Sequence, residues 1–353
     1  MKRLTYISKF SRRLTEQDIE NIGLVSARNN RPNNITGVLL CLAGIFFQIL
    51  EGDEDKIDEV YEKILKDDRH IEILCLKLEA DIEERLFPDW SMKTINLDYN
   101  NDLLISPIKN LLQNVTESHR IIEKYTQPTI FKIISQGLNP LEIPARKVEK
   151  IVLFSDIVSF STFADKLPVE QVVSLVSHYL TVCSKIITER GGEVTKFIGD
   201  CVMAYFDGDN ADAAIEASLD ILTELRVLRN VALDGSIIRV LHAGIGLAKG
   251  TVIEGNIGST VKKDYTILGD AVNIASRLEA LTRNLSHSLA FSSEVKNSTE
   301  EMWDFVRLGT AQPKGKAEAI ELYSVDSAIA RKPNDGVQLA NYISEYLDAI
   351  TLE

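Results

Sequence analysis

Hydrophobic and polar residues in the first 95 positions follow two periods, and each predicts a different element. Short alternating or apolar runs predict strands at residues 3–8, 35–42, 45–52 and 71–81. Apolar residues spaced three and four apart predict helices at residues 14–30 and 53–67, the first opened by Thr15 with Asp18 three positions later. The order βαββαβ is typical of a ferredoxin-like α+β domain with both helices on one face of the sheet.

The same order recurs in the second half of the chain. Strands are predicted at 150–161 and 237–250, a hairpin at 191–206 with a Gly199-Asp200 turn, and helices at about 169–189 and 211–230. Because the first strand and the hairpin are adjacent in this topology, Asp156 and Asp200 should meet at one sheet edge. The predicted fold is therefore α+β, with two ferredoxin-like domains.

The strand at 45–52, "IFFQILEG", contains one polar side chain among apolar ones. A buried amide without partners costs about 1–3 kcal/mol, so Gln48 needs a hydrogen-bonding partner. Tyr6 occupies the middle of the first strand and would meet Gln48 if the two strands are neighbours. The pattern alone leaves two interpretations open, a satisfied polar pair in the core or a contact with a bound ligand.

A helix is predicted between the two domains, from Ser106-Pro107 to about Thr126. Its apolar stripe has alternating spacings of three and four: Ile108, Leu111, Val115, Ser118, Ile122 and Tyr125. The stripe fits a helix packed on its own domain or a coiled-coil-like linker. The predicted domains are 1–97, a helical linker at 98–147, 148–326, and a C-terminal extension at 327–353.

Composition narrows the choice of partners and compartment. A net charge of −13 without a dense Lys/Arg run disfavours nucleic acid. The longest apolar run, 38–50, is too short to span a membrane. Four well-separated cysteines with no C-x-x-C pair indicate reduced thiols and a cytoplasmic protein.

Tyr6, "ARNNRPNNITGVLLCLAGIFFQILEG" and "WSM" together resemble the BLUF family of blue-light sensors. The resemblance implies a flavin, FAD or FMN, held between the two helices. It also implies that Gln48 bonds the N5 and O4 edge of the flavin, that Tyr6 bonds Gln48, and that Asn30 bonds the pyrimidine edge. Trp90 and Met92 match the pair that competes for the place beside Gln48. Gln48 is then the switch that changes its hydrogen bonds after illumination.

Four stretches in the second half, "FSDIVSFS", "KFIGDCVMAYF", "DYTILGDAVNIASRLEA" and "PKGKAEAIELYSV", are similar to class III nucleotide cyclases of the homodimeric bacterial type. The resemblance covers residues 148–326. It implies that Asp156, Asp200 and the carbonyl of Ile157 hold two Mg²⁺ or Mn²⁺ ions. Two carboxylates with a backbone carbonyl suit such cations when phosphate oxygens complete the shell.

The same resemblance assigns the nucleotide contacts. Lys196 and Thr266 would recognise adenine, since guanine would need an acceptor in place of Lys196. Asn273 and Arg277 would arrange the ribose and stabilise the transition state at the α-phosphorus. Lys314 would contact the terminal phosphates, with Lys316 as the alternative.

These expectations describe a blue-light-regulated adenylate cyclase that acts on ATP. In the homodimer, the metal-binding aspartates would come from one subunit, and Asn273 and Arg277 from the other. Two alternatives are a light-regulated guanylate cyclase, and a flavin photoreceptor whose second domain binds nucleotide without catalysis.

Overall fold

The computed structural model describes residues 1–98, 105–135, 138–312, 319–332 and 336–351. The chain forms two compact units, Met1–Ile143 and Pro144–Glu353. None of the helices in the described part of the chain has the length and apolar content needed to cross a bilayer.

The first unit contains a five-stranded sheet with helices on both faces. Its elements are β1 (Lys2–Phe10), α1 (Glu16–Asn30), β2 (Thr36–Leu42), β3 (Ile45–Gly52), α2 (Glu54–Leu65), β4 (His70–Glu79), β5 (Lys93–Asn96), α3 (Ile105–Tyr125) and α4 (Pro128–Ser135). The strand order is β4-β1-β3-β2-β5, antiparallel except for the pairing of β2 with β5. The predicted βαββαβ order is confirmed, with β5 added beside β2.

Local sequence signals explain two of these boundaries. The Thr15 hydroxyl accepts a hydrogen bond from the Asp18 amide at 3.2 Å, and Asp18 accepts one from the Thr15 amide at 2.9 Å. This capping box fixes the start of α1. Ala43 and Gly44 both adopt left-handed backbone conformations, with φ of 46° and 82°, which closes the tight β2–β3 turn.

The outer face of the first sheet, opposite α1 and α2, is covered by α3. Leu112 is only 6% exposed and packs with Leu42 and Leu97. Leu112 lies outside the predicted heptad stripe, whose member Leu111 is 62% exposed. The helix therefore packs on its own unit through one face, while the coiled-coil role of the stripe stays a prediction. The sequence did not predict α4, which packs against β4.

The second unit is built on a larger sheet. Its elements are β6 (Arg146–Ile157), α5 (Phe160–Lys166), α6 (Val169–Glu189), β7 (Glu193–Ile198), β8 (Cys201–Asp207), α7 (Ala211–Val231), β9 (Ala243–Gly258), β10 (Lys263–Leu268), α8 (Asp270–Thr282), β11 (Leu289–Ser292), α9 (Ser293–Lys296), β12 (Phe305–Ala311), β13 (Ile320–Val325) and α10 (Gly336–Thr351). The strand order is β12-β13-β11-β9-β6-β8-β7, with β10 paired to β9. Within it, β9-β6-β8-β7 repeats the β4-β1-β3-β2 order of the first unit, which confirms the second ferredoxin-like domain.

Two predicted strands have different limits in the structure. The strand predicted at 150–161 ends at Ile157, because Ser159 adopts a left-handed conformation with φ of 60° and α5 follows. The strand predicted at 237–250 begins at Ala243. Residues 237–240 form a 3-10 turn instead, capped by the Ser236 hydroxyl, which accepts from the Ile238 amide at 3.3 Å.

The second unit packs closely in two places that matter for its site. A Cβ at Gly246 of β9 would lie 2.2 Å from the Glu279 nitrogen, so glycine allows α8 to lie directly on the sheet. At the C-terminal end, Leu339, Ile343 and Leu347 of α10 are buried in the main core. Residues 336–351, to which the sequence assigned no role, are therefore part of the second unit.

Candidate functional site

Tyr6 and Gln48 are direct neighbours across the β1–β3 pairing. The Tyr6 hydroxyl donates a hydrogen bond to Gln48 Oε1, and Gln48 Nε2 donates to Met92 Sδ at 3.4 Å. Complete burial raises the pKa of Tyr6 well above its usual range, so the phenol keeps its proton. The three side chains form a directed chain of hydrogen bonds beneath the helices.

The buried amide side chains of the first unit, Gln48 and Asn30, fit the hydrogen-bonding edges of a flavin. Gln48 is only 5% exposed, and its amide nitrogen donates to a thioether, which is a weak acceptor. Asn30, at the end of α1, is 4% exposed and donates to the Ser91 carbonyl at 2.9 Å. The backbone from Ser91 to Met92 thus links the two buried amides. A heteroaromatic ring with donor and acceptor edges would satisfy such side chains.

The structure separates Trp90 from Met92. Trp90 is 39% exposed and stacks on Phe87, with ring centroids 5.2 Å apart. Met92 occupies the place beside Gln48, so in this conformation only one member of the predicted pair contacts the amide.

The second unit brings the two predicted metal ligands together. Asp156 is the next-to-last residue of β6, and Asp200 lies in the turn between β7 and β8. Since β6 pairs with β8, both carboxylates lie at one sheet edge. The Ile157 amide donates to Asp200 Oδ2 at 3.3 Å. Asp156 and Asp200 line a cavity of about 410 Å³ together with residues 157–161.

The chemistry of this cavity fits a divalent cation. Asp156 Oδ1 is buried, and none of the described residues forms a hydrogen bond with it. Burial raises the pKa of Asp200 to about 7, and the neighbouring Asp156 carboxylate contributes to the increase. Among the described residues no cluster of three or more His, Cys, Asp or Glu side chains could hold a metal. The available donors are two carboxylates and the Ile157 carbonyl, a hard-oxygen set that suits Mg²⁺ or Mn²⁺.

The sequence did not identify two charged residues beside these aspartates. Arg283, just after α8, donates to Asp156 Oδ2 at 2.6 Å and lies 3.7 Å from Glu279 Oε1. Burial raises the pKa of Glu279 to about 7, with a further contribution from Asp156. The only sequence signal was the Glu279–Arg283 spacing of four, which is common on helix surfaces.

The predicted adenine contacts converge from two strands. Lys196 of β7 places its ammonium 3.9 Å from Asp264 Oδ2 of β10. Asp264 and Thr266 are two positions apart on β10, so their side chains point to the same side of the strand. The structure thus brings Lys196 to the side of β10 that carries Thr266.

The predicted transition-state residues lie elsewhere on this chain. Asn273 and Arg277 are exposed one turn apart on α8, and Arg277 Nη1 donates to the Gln312 carbonyl at 3.4 Å. Neither residue is among those that line the cavity with Asp156 and Asp200. Lys314 and its alternative Lys316 lie outside the described residues.

Comparisons with known proteins match a different family to each half of the chain. Residues 1–93 match the BLUF family, described as sensors of blue light using FAD. Residues 143–327 match the adenylate and guanylate cyclase catalytic domain family. The chain is similar to two solved structures of a bacterial light-regulated adenylyl cyclase, with TM-scores of 0.91 and 0.86. Both are 53% identical, over 98% of this chain and 100% of theirs.

Relatives from Euglena gracilis are longer. Photoactivated adenylate cyclase subunit beta is 30% identical over 296 residues, which is 83% of this chain and 34% of that protein. Photoactivated adenylate cyclase subunit alpha is 30% identical over 295 residues, 83% of this chain and 29% of that protein. The chain therefore spans about a third of the length of these curated relatives.

Proposed function

We propose that this chain, which belongs to the adenylate and guanylate cyclase family and carries a BLUF domain ahead of its catalytic domain, is a blue-light-regulated adenylate cyclase. The reaction converts ATP to 3′,5′-cyclic AMP and pyrophosphate. One observation carries the proposal: the likeness to the bacterial light-regulated adenylyl cyclase extends over both units at once.

Gln48 is the proposed light-sensing switch. The flavin, when bound, supplies blue-light absorption and accepts an electron. An amide presents a donor and an acceptor, and rotation or tautomerisation exchanges them. Tyr6 donates a hydrogen bond to Gln48. Because the hydrogen bond from Gln48 to the Met92 sulfur is weak, exchanging that partner costs little free energy. The BLUF family's use of FAD supports FAD over FMN.

In the catalytic unit, Asp156, Asp200 and the Ile157 carbonyl are the proposed ligands of two divalent cations. Bound Mg²⁺ or Mn²⁺ supplies positive charge that stabilises the developing charge on the phosphates. Asn273 orients the ribose, and Arg277 presents a planar set of donors to the charge that builds at the α-phosphorus. Lys314 contacts the terminal phosphates.

The preference for ATP over GTP is proposed from Lys196 and Thr266. An ammonium can donate to adenine N1, and a hydroxyl can accept from the 6-amino group. Guanine N1 carries a hydrogen and is a donor. The Lys196 ammonium, which can only donate, would therefore have no acceptor at that position. The approach of Lys196 to β10 supports this pair.

The proposed assembly is a homodimer with shared sites, in the cytoplasm. Asn273 and Arg277 are exposed on α8, where a second subunit could bring Asp156 and Asp200 to them. The four cysteines are all unpaired thiols, which supports a reducing compartment.

The proposal is tested by supplying purified protein with Mg²⁺ and either ATP or GTP, in darkness and under blue light. We expect cyclic AMP from ATP, formed faster in the light, and little cyclic GMP. Asp200→Ala is the matched control, because it should abolish turnover while the flavin spectrum stays normal. Equal rates in darkness and light, or a preference for GTP, would contradict the proposal.

A further inference from the structure

The second unit contains another cavity, of about 620 Å³, which the proposed reaction does not use. It lies where the end of α7, the start of β9 and α10 meet. The described residues that line it include no Asp or Glu, but six basic side chains: Arg226, Arg229, Arg239, His242, Arg331 and Lys332. In a chain with a net charge of −13, this concentration of basic side chains requires an explanation.

Two of the guanidinium groups are not neutralised. Arg239 pairs with Asp234, and Arg331 pairs with Asp326. Arg229 donates to the Leu241 carbonyl at 2.7 Å, and within the described part of the chain neither Arg226 nor Arg229 forms an ion pair with an acidic side chain. Burial, with a smaller contribution from the charge of Arg226, lowers the pKa of Arg229 to about 10. An anion between these groups would relieve their repulsion.

His242 adds a polar group that faces the same cavity. The residue is only 9% exposed, and no hydrogen bond to its imidazole is found among the described residues. Burial, together with the charges of Arg229 and Lys332, lowers the pKa of His242 to about 3, so the ring is neutral. A neutral imidazole has one donor and one acceptor, and both can serve a ligand.

We propose that this cavity binds a phosphate-bearing small molecule of nucleotide size. Two uncompensated guanidinium groups call for about two negative charges, which a phosphate monoester supplies and a single carboxylate does not. Guanidinium groups also match the geometry of phosphate oxygens. Leu222, Leu339 and Tyr342 provide an apolar wall for the rest of the molecule, and the volume lies in the range of about 300–1,000 Å³ of small-molecule sites.

The cavity touches the segments that carry the metal ligands. The His242 carbonyl accepts from the Val158 amide at 2.9 Å, one residue after Ile157. The Lys332 ammonium donates to the Thr282 carbonyl, next to Arg283, which pairs with Asp156. A ligand held by His242 and Lys332 would therefore act on both segments. An effect on turnover rests on the proposed function, whereas binding does not.

Binding can be measured without the reaction, using the whole chain in darkness with EDTA and no ATP. Titration calorimetry with AMP, pyrophosphate and inorganic phosphate should show saturable binding of AMP, tighter than that of inorganic phosphate. Arg226→Glu, which reverses one of the two guanidinium charges without an acidic partner, should weaken AMP binding at least about tenfold. Lys185→Glu, the same charge change at an exposed position of α6, should leave it unchanged.

Three results would overturn the proposal. The first is no saturable binding of AMP or pyrophosphate at millimolar concentration. The second is equal weakening by Lys185→Glu, which would make the effect one of net charge. The third is that Arg277→Ala loses AMP binding while Arg226→Glu binds AMP as well as wild type does. This result would place AMP in the nucleotide site of the proposed reaction. Because no turnover is measured, a chain inactive on ATP could still bind AMP, so this test and that of the proposed function fail separately.

Discussion

Asp200→Ala and Arg277→Ala chains, each inactive alone, should restore activity when they form a mixed dimer. The reason lies in their positions in the second unit. Asp200 lines the carboxylate cavity, whereas Arg277 lies on the exposed face of α8 and does not line that cavity. If each site takes Asp200 from one subunit and Arg277 from the other, a mixed dimer contains one site with both residues and one with neither.

The size of the rescue follows from this geometry. Random exchange of equal amounts makes half of the dimers mixed, and each mixed dimer has one intact site of two, so the activity should be about 25% of wild type. Loss of a preorganised donor to the transition state costs about 10²–10³ in kcat, so Arg277→Ala alone should be at or below about 1% of wild type. The expected rescue is therefore well above the activity of either parent.

The assay is cyclic AMP formation under continuous blue light at saturating ATP and Mg²⁺. The two chains carry tags of different mass, so mixed dimers can be counted by native mass spectrometry. The matched control mixes Asp156→Ala with Asp200→Ala, which both remove the same side of the site. That mixture should give no rescue, because each of its sites lacks one carboxylate.

Two outcomes would refute shared sites. Mixed dimers in the expected number with no gain over either parent would mean that each chain builds its own site. Equal rescue by the Asp156→Ala and Asp200→Ala mixture would mean that a single carboxylate suffices, so the gain would say nothing about Arg277.

Four further changes test other parts of the structure. Gln48→Leu should keep the flavin absorption and lose its light-induced red shift, and an unchanged difference spectrum would contradict the switch role. Leu111→Lys should change the free energy of unfolding by less than about 0.5 kcal/mol, because Leu111 is exposed, yet bring the light-to-dark activity ratio towards one. Full light activation in that variant would make the stripe of α3 passive. Arg283→Gln should tighten Mn²⁺ binding without nucleotide about two- to fivefold, since Asp156 loses a competing cation; weaker binding, measured by the resonance of free Mn²⁺, would be the opposite result. The pKa of His242 is about 3 against an ordinary value near 6.5, so only the unfolded chain takes up its proton as pH falls. Wild type should therefore lose about 2 kcal/mol more of its unfolding free energy than His242→Asn between pH 7 and pH 5 in urea melts.

The contact between Tyr6 and Gln48 followed from side-chain alternation along the strands together with the predicted strand order. Side chains alternate along strands, and the Ala43-Gly44 turn fixes the β2–β3 register, so Gln48 had to face the helices. The convergence of Asp156 and Asp200 likewise followed from the strand order, since each aspartate lies at the end of a strand at the same sheet edge. Both predictions depended on a period of two and on a topology that few alternatives share.

Arg283 could not be predicted in the same way. Its partner Asp156 is 127 residues earlier, and the contact depends on how closely α8 lies on β9. The glycines that permit this approach carry no signal about which side chain will reach the carboxylate. A helix-surface cation four residues after Glu279 is ordinary in sequence, and only the fold places it beside a carboxylate at the candidate metal site.

The net charge of the chain gives no indication of the cavity of about 620 Å³ and its basic side chains. A value of −13 disfavours a polyanionic partner for the whole surface, because such partners feel many charges together. A small anion feels only charges within about 8–10 Å at physiological salt, and the ionisable side chains that line the cavity are all of basic type. The cations come from α7, from residues 239–242 and from residues 331–332, so no single stretch of sequence is basic enough to reveal them. The total charge therefore disfavours a polyanionic partner but says nothing about a small anion. A small phosphate-bearing molecule is an anion of the second kind.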